Sequence, residues 1–208
     1  MKAEYRPLAE RLRAYRPVNE QEARDREIML ELLERGERPF ERASRTAHFT
    51  ASAWVTNARR DRVLMVYHNL YRSWAWTGGH ADGETDLCAV ARREAEEESG
   101  LSGLELLADG PISLEILTVD GHEKRGEYVS SHLHCNLTYL FVADDGQETR
   151  VKPDENSGVR WFSPEEAIAA CSEPWMARHI YPKLNRRLSE RLDEEKSDEQ
   201  EAGGSADV

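Results

Sequence analysis

The spacing of hydrophobic and polar positions changes along the chain and predicts an order of elements. In residues 1–45 the apolar side chains recur every three or four positions, which predicts two helices separated by Pro17. From His48 onward the apolar residues fall in short runs, which predict strands over 48–55, 63–67, 73–77, 112–119, 132–143 and 159–162. Helices are predicted over 86–99, from Ser163, and over about 175–192. This order indicates an α/β fold with an N-terminal helical extension.

Composition divides the 208 residues into three parts. Residues 1–45 form the N-terminal helical extension, which we expect to cap the main domain; a dimerisation element, and hence a homodimer, or a substrate lid is the alternative. Residues 46–192 carry the strands and form the main domain. Residues 193–208 contain seven acids and one base with almost no aromatic or β-branched residue, which predicts a disordered acidic tail.

Charge and cysteine content narrow the class of protein. The formal net charge is −12, which disfavours nucleic acid and anionic membrane as partners because phosphate would be repelled. No apolar run reaches the length of about 18 residues that spans a bilayer, and the N-terminus has no apolar signal segment. Cys88, Cys135 and Cys171 form no CxxC pair and are typical of small core residues in a reducing compartment. Together these features predict a cytoplasmic protein.

The helix predicted over 86–99 has an apolar face that ends in carboxylates. Glu94, Glu97 and Glu98 continue the face that Leu87, Val90 and Ala91 begin. Side chains at this spacing are rooted about 5–6 Å apart, so the three carboxylates repel one another, and burying them unpaired would be costly. Mg²⁺ would resolve the conflict, since it accepts a few carboxylates and fills its other positions with water and phosphate. The alternative is a solvated face with ion pairs such as that of Arg93 with Glu97.

The segment 79–101 resembles the signature of the Nudix hydrolases. That signature is Gly, five residues, Glu, seven residues, then Arg-Glu-apolar-any-Glu-Glu-any-Gly-apolar. Gly79 takes the first position, and Arg93 to Leu101 match the last nine at the same spacing. Thr85 stands where the family usually has Glu. The resemblance extends over roughly residues 46–187.

The resemblance implies a Nudix-like α/β/α sandwich with a mixed β-sheet. It also implies hydrolysis of a diphosphate (pyrophosphate) bond in a nucleoside diphosphate-linked or related small molecule, with Mg²⁺ or Mn²⁺ as cofactor. By motif position, Glu94, Glu97 and Glu98 would bind the metal, and the carbonyl of Gly79 would be a further ligand. Arg93 would orient the carboxylates by ion pairing.

The general base is not fixed by the motif. In this family it is either a glutamate of the motif, such as Glu94, or a glutamate on a distant loop. Glu155 is our candidate because it lies in a loop just before the last predicted strand, while an ordinary exposed loop residue is the alternative. Glu123 and Glu127 are weaker candidates.

Several other residues are candidates for substrate binding. His132 and His134 lie two apart on a predicted strand and therefore face the same side. With His80 they would form a phosphate-binding or second-metal cluster; packed or surface histidines are the alternative. Further candidate phosphate contacts are Arg72, Lys124 and Arg125.

Two other functions compete with hydrolysis. An isopentenyl diphosphate isomerase-like enzyme would be expected to carry a cysteine near the metal, and the loop TGGHADG has none. A non-catalytic Nudix-like ligand sensor would usually carry a DNA-binding module, for which residues 1–45 are too short and the net charge has the wrong sign. The retained glutamates of the motif also favour catalysis.

Overall fold

The computed structural model describes residues 1–35, 38–124 and 126–203, with only the backbone of Lys124 and of residues 193–203. Its helices are α1 (Arg6–Ala14), α2 (Glu20–Glu34), α3 (Leu87–Ser99), α4 (Pro164–Ala170) and α5 (Tyr181–Gly203), with a 3₁₀ turn at Ala3–Tyr5 and a π-helical turn at Met176–Ile180. Its strands are β1 (Ala47–Asn57), β2 (Val63–His68), β3 (Ser73–Ala75), β4 (Thr77–His80), β5 (Glu105–Leu106), β6 (Ser113–Val119), β7 (His122–Lys124), β8 (Glu127–Val129), β9 (His132–Ala143) and β10 (Asn156–Phe162).

The strands form one mixed sheet and a separate hairpin. The sheet has the order β10-β2-β1-β9-β5, with β3 paired to β2, β4 to β1 and β6 to β9. β1 and β9 run parallel, from the pair Ala47 and Leu133 to the pair Asn57 and Ala143, and the other pairs are antiparallel. β7 and β8 form the hairpin, within a segment that the sequence predicted as a loop.

Alternate residues of β1 and β9 enter different cores, as strand geometry requires. On one face Phe49 and Phe141 pack with α1, α2 and α3. On the other face Trp54 and Leu140 pack with α4 and α5. The sheet therefore lies between two helical layers, which confirms the predicted α/β/α sandwich and its N-terminal helices.

Capping residues mark where the helices begin and end. Asn19 accepts a hydrogen bond from the Glu22 N–H at the start of α2, and Asp86 accepts from two N–H groups at the start of α3. Gly100 ends α3 at φ 76°, a left-handed conformation that costs glycine little. Ser163 begins α4 with a complete capping box.

Besides the β7–β8 hairpin, two segments differ from the sequence-based expectation. Residues 78–80 were expected in a loop but pair with β1 as part of β4, because glycine at 78 allows the close approach: a Cβ there would lie 2.5 Å from Ser52 Oγ. The last helix was expected to end near Leu192, yet its backbone is helical to Gly203, since Glu, Lys and Gln extend a helix already formed. The disorder expected for residues 193–208 stays a prediction. Residues 204–208 lie outside the described part. Within that part, no helix has the length and apolarity needed to cross a bilayer.

A buried charged triad joins three elements that are distant in sequence. Lys183 Nζ of α5 lies 2.9 Å from Glu22 Oε1 of α2 and 3.0 Å from Glu115 Oε1 of β6. The side chains of all three residues are at most 3% exposed. Two carboxylates that share one ammonium are tolerated in such a place only while the ammonium is present.

Replacing Lys183 by Met should destabilise the fold by about 3–5 kcal/mol, because the substitution leaves two buried carboxylates without their partner. Arg186→Met is the matched control, since Arg186 lies on the same helix in an exposed pair with Glu190 at 3.9 Å, and it should cost no more than about 1 kcal/mol. Urea unfolding at neutral pH measures both. Equal losses from the two substitutions would contradict the importance of the triad.

Candidate active site

Three carboxylates from α3 and from the loop before β10 meet at one end of the sheet. Glu94, Glu98 and Glu155 each offer one oxygen, and these oxygens all lie within 4.8 Å of one another. Glu98 is only 4% exposed, because it continues the apolar face of α3 into the interior. Burial, followed by the charges of Glu155 and Glu94, raises the pKa of Glu98 to about 9. Burial also raises the pKa of Glu94.

Glu97 lies outside this cluster, at the edge of the helical face. Its side chain is 49% exposed and pairs with Lys152 Nζ at 3.0 Å. Lys152 also lies 3.1 Å from a carboxylate oxygen of Glu155. In the structure the third carboxylate beside Glu94 and Glu98 is therefore Glu155, and a lysine links it to Glu97.

Two glycines and an arginine hold the carboxylates of α3. A Cβ at Gly79 would lie 2.5 Å from Glu94 Cδ, so any other residue there would displace the Glu94 carboxylate from its present position. The backbone N–H of Gly78 hydrogen bonds the Glu98 carboxylate. Arg93 Nη2 donates to Glu94 Oε1 at 3.3 Å. Thr85, the residue that departs from the motif, lies just before α3, where its N–H donates to Glu84 at 2.8 Å.

Asn156 positions the loop that carries Glu155. This asparagine is 1% exposed, and its Nδ2 donates to the Glu98 carbonyl at 2.9 Å. Its Oδ1 accepts from the Lys152 N–H at 3.2 Å. The loop is thereby fixed to the C-terminal end of α3, which explains how a residue so far along the chain reaches Glu98.

This donor set fits a divalent cation that prefers oxygen. When ionised, its three carboxylates are acceptors only, and Lys152 is the one cationic side chain that pairs with Glu155 among the described residues. Mg²⁺ and Mn²⁺ suit carboxylate oxygens and leave positions open for water and phosphate. The buried Glu98 carboxyl gives the strongest reason for a cation, because it is ionised at neutral pH only with compensating charge nearby.

The structure brings the three predicted histidines together and adds a fourth. His48, His80, His132 and His134 each offer a ring nitrogen, and these nitrogens lie within 4.8 Å of one another. Burial lowers the pKa of His48 and, with the neighbouring imidazoles, lowers that of His134 to about 2. Sequence reasoning missed His48, although it alternates with the polar residues Thr50 and Ser52 along one face of β1.

Both clusters line one open cavity of about 1310 Å³. Its aromatic lining consists of Tyr71, Trp76, Tyr128, Trp175 and Tyr181. Arg42 and Arg45 are the cationic side chains that line it among the described residues. The weaker base candidates Glu123 and Glu127 also line it, in the β7–β8 hairpin.

The basic residues that were predicted to contact phosphate are not among the described residues that line the cavity. Arg72 is exposed in a turn, with φ 52°, and does not line the cavity. The side chain of Lys124 and the whole of Arg125 lie outside the described part of the chain. Sequence reasoning did not single out Arg42 and Arg45, which precede the first strand and carry no motif.

Comparison with known proteins identifies relatives of this chain. A family model described as the NUDIX domain matches residues 46–184. The chain is 31% identical over 100 residues to "Uncharacterized Nudix hydrolase YfcD" of Shigella flexneri, a match covering 48% of this chain and 47% of that protein. It is 30% identical over 126 residues to the human m7GpppN-mRNA hydrolase NUDT17, covering 57% of this chain and 36% of that protein. The matches thus span about half the length of these relatives or less.

A solved structure shows the same fold. The crystal structure of a C. elegans Ap4A hydrolase binary complex matches with a TM-score of 0.51 and 19% sequence identity. The match covers 70% of this chain and 97% of that one.

Glu98→Gln should stabilise the cation-free protein, increasingly as pH rises. The pKa of Glu98 is about 9 in the folded protein against an ordinary 4.5, so folding retains a proton that unfolding releases. The stability linked to this proton is complete below about pH 4.5 and is lost as pH rises towards 9. Thermal unfolding in chelator across this range measures the difference from wild type, with Glu96→Gln on the same helix as control. A difference that does not widen with pH would contradict the prediction.

Proposed function

Because the chain belongs to the Nudix family, we propose that it is a metal-dependent hydrolase of a diphosphate bond in a nucleoside diphosphate-linked or related small molecule. The observation that carries this proposal is the cluster of Glu94, Glu98 and Glu155 in the wall of a large open cavity. A relative named for hydrolysis of m7GpppN-mRNA agrees with a substrate that contains linked phosphates.

The cation in this proposal is Mg²⁺ or Mn²⁺. Glu94, Glu98 and Glu155 would hold it, and the Gly79 carbonyl and Glu97 are further candidate ligands. When bound, such a cation neutralises phosphate charge, polarises phosphorus and lowers the pKa of water.

Neighbouring groups keep the carboxylates of α3 in place, and one carboxylate of the cluster takes the proton of the attacking water. Arg93 holds Glu94, and the Gly78 N–H holds Glu98. Glu155 is the proposed general base because its side chain is 39% exposed, so it meets both solvent and the cluster. Lys152 Nζ lies 3.1 Å from the Glu155 carboxylate and holds it in place, and a free carboxylate oxygen can take a proton from the attacking water. Glu94 is the second candidate base.

The cavity also offers a place for a flat group. Tyr71 and Trp175 are exposed aromatic side chains, 43% and 54% respectively, in the lining that the carboxylates share. A base or another ring of the substrate would stack on such surfaces. Arg45 adds positive charge to the lining and would attract the phosphates, while the charge of Arg42 is offset by its ion pair with Asp82.

A cytoplasmic location belongs to the same proposal. Cys88, Cys135 and Cys171 are unpaired, as expected in a reducing compartment. Burial raises the pKa of each thiol, so none has the character of a reactive cysteine.

Glu94→Gln, Glu98→Gln and Glu155→Gln should each lower kcat by at least about a hundredfold, because each removes a carboxylate that binds the cation or takes the proton. Steady-state hydrolysis of nucleotide and sugar-nucleotide diphosphates with Mg²⁺ measures the effect. Glu96→Gln is the matched control on the same helix and should leave kcat nearly unchanged. Glu97→Gln tests whether Glu97 gives up its ion pair with Lys152 and binds the cation. Equal damage from Glu96→Gln would contradict the assignment.

Hydrolysis and isomerisation differ in whether water enters the product. Reaction in ¹⁸O-labelled water should place the label on a phosphate product, because a water attacks phosphorus. Cys88→Ala should leave turnover nearly unchanged, since Cys88 packs against the core and does not line the cavity. Conversion of isopentenyl diphosphate without uptake of label, lost in Cys88→Ala, would contradict the hydrolase.

A further inference from the structure

Four histidines from three strands surround one point in the wall of the cavity. The parallel pairing of β1 with β9 sets His48 beside His134, and His132 lies two residues earlier on the same face. β4 brings His80 beside Thr50, on the other edge of β1. The ring centroid of His48 lies 5.0–5.1 Å from the ring centroid of each of the other three histidines. Three separate strands thus aim imidazoles at a common centre.

Two of these rings have their tautomer fixed by backbone carbonyls. His48 Nδ1 lies 3.0 Å from the Ser44 carbonyl, and His132 Nδ1 lies 2.8 Å from the Ser130 carbonyl. A carbonyl oxygen only accepts, so each Nδ1 carries the hydrogen and each Nε2 presents a lone pair. A carbonyl on the far nitrogen is the arrangement that orients histidines that ligate metals.

The lone pair of His48 is buried without a partner. His48 is 3% exposed, and its Nε2 has no hydrogen-bond partner among the described residues. An unsatisfied buried acceptor destabilises the fold, so this nitrogen favours a ligand that accepts its lone pair. His132 Nε2 and His134 Nε2 face each other at 3.1 Å. A tetrahedral ion with Zn–N bonds of about 2.0–2.1 Å holds its ligand nitrogens about 3.3 Å apart, close to this distance.

The chemistry of the cluster selects among ligands. A phosphate would meet the lone pairs of His48 and His132, which repel its oxygens, so the phosphate-binding alternative is disfavoured. Mg²⁺ prefers oxygen, and this cluster offers nitrogen alone. Imidazoles suit Zn²⁺ and the neighbouring transition metals. The nearby Arg42 guanidinium is paired with Asp82, with both contacts at 2.7 Å, which offsets part of its repulsion of a cation.

We propose that His48, His80, His132 and His134 form a second metal site, which binds a first-row transition metal of the Zn²⁺ class beside the carboxylate cluster. The two clusters meet at adjacent residues, since His80 follows Gly79, whose backbone packs against Glu94. An ion there adds positive charge to the cavity that an anionic substrate enters. That role rests on the proposed function, while binding of the metal does not.

Equilibrium dialysis against Zn²⁺, with metal content measured per chain, tests the proposal. The full chain is used without a histidine tag, and millimolar Mg²⁺ is present to compete for the carboxylates. Wild type should retain one Zn²⁺. His80→Asn and His132→Asn, both at partly exposed positions, should weaken binding by at least about tenfold to a hundredfold, the range that loss of an orienting partner alone produces. Co²⁺ in place of Zn²⁺ should give the strong visible absorption of a tetrahedral nitrogen site.

Matched controls separate the outcomes. His122→Asn changes a histidine that lines the same cavity and also has its Nδ1 on a carbonyl, at 2.9 Å, but stands outside the cluster, so it should retain Zn²⁺. Glu98→Gln should lose hydrolysis yet retain Zn²⁺. Absence of Zn²⁺ from wild type, or its loss in Glu98→Gln but not in His80→Asn and His132→Asn, would overturn the proposal. Zn²⁺ binding without hydrolysis in wild type would overturn the proposed function alone.

Discussion

The parallel pairing of β1 with β9 is the constraint on which the rest of the site depends. It is the longest pairing in the described sheet and joins residues that are 86 positions apart, since Ala47 pairs with Leu133 (133 − 47 = 86). One face of this pair carries His48, Thr50 and Ser52 beside His134, Asn136 and Thr138. β4 then pairs with the other edge of β1 and brings the Gly-Gly segment against α3. Both the histidine cluster and the carboxylate cluster therefore take their positions from β1.

The polar floor of the cavity is continuous with the buried charges of the core. Asn136 Oδ1 accepts from Thr50 and Ser52, at 3.0 and 2.9 Å, and its Nδ2 donates to Glu115 at 3.3 Å. Glu115 in turn pairs with Lys183, which also holds Glu22. Each of these side chains has a hydrogen-bond or ion-pair partner, which is the condition under which buried polar networks order a core rather than weaken it. The first and last long helices are thus connected to the site through side chains.

Local signals made part of this structure predictable. The N-cap of α3, its glycine C-cap and its carboxylate face follow from spacing within one helix, so the sequence was sufficient for them. The sequence could not predict that Glu155, rather than Glu97, lies beside Glu94 and Glu98. The position of Glu155 depends on the contact of Asn156 with the Glu98 carbonyl. His48 was missed for a similar reason: its neighbours are set by the register of two distant strands. Strand β4 was missed because Gly78 and Gly79 have low strand propensity and pair there only through close approach.

The N-terminal extension takes part in the geometry of the site although it lies outside the residues 46–184 that match the family. Its helices contribute Leu12 and Leu33 to the same core as α3. The segment that follows them binds the loop before α3: the Gly83 N–H donates to the Phe40 carbonyl at 2.8 Å, and Arg42 forms two contacts of 2.7 Å with Asp82. Because this loop sets where α3 begins, it also sets where the carboxylates of α3 point. The matched domain therefore supplies the motif, and residues outside that domain help to hold it in place.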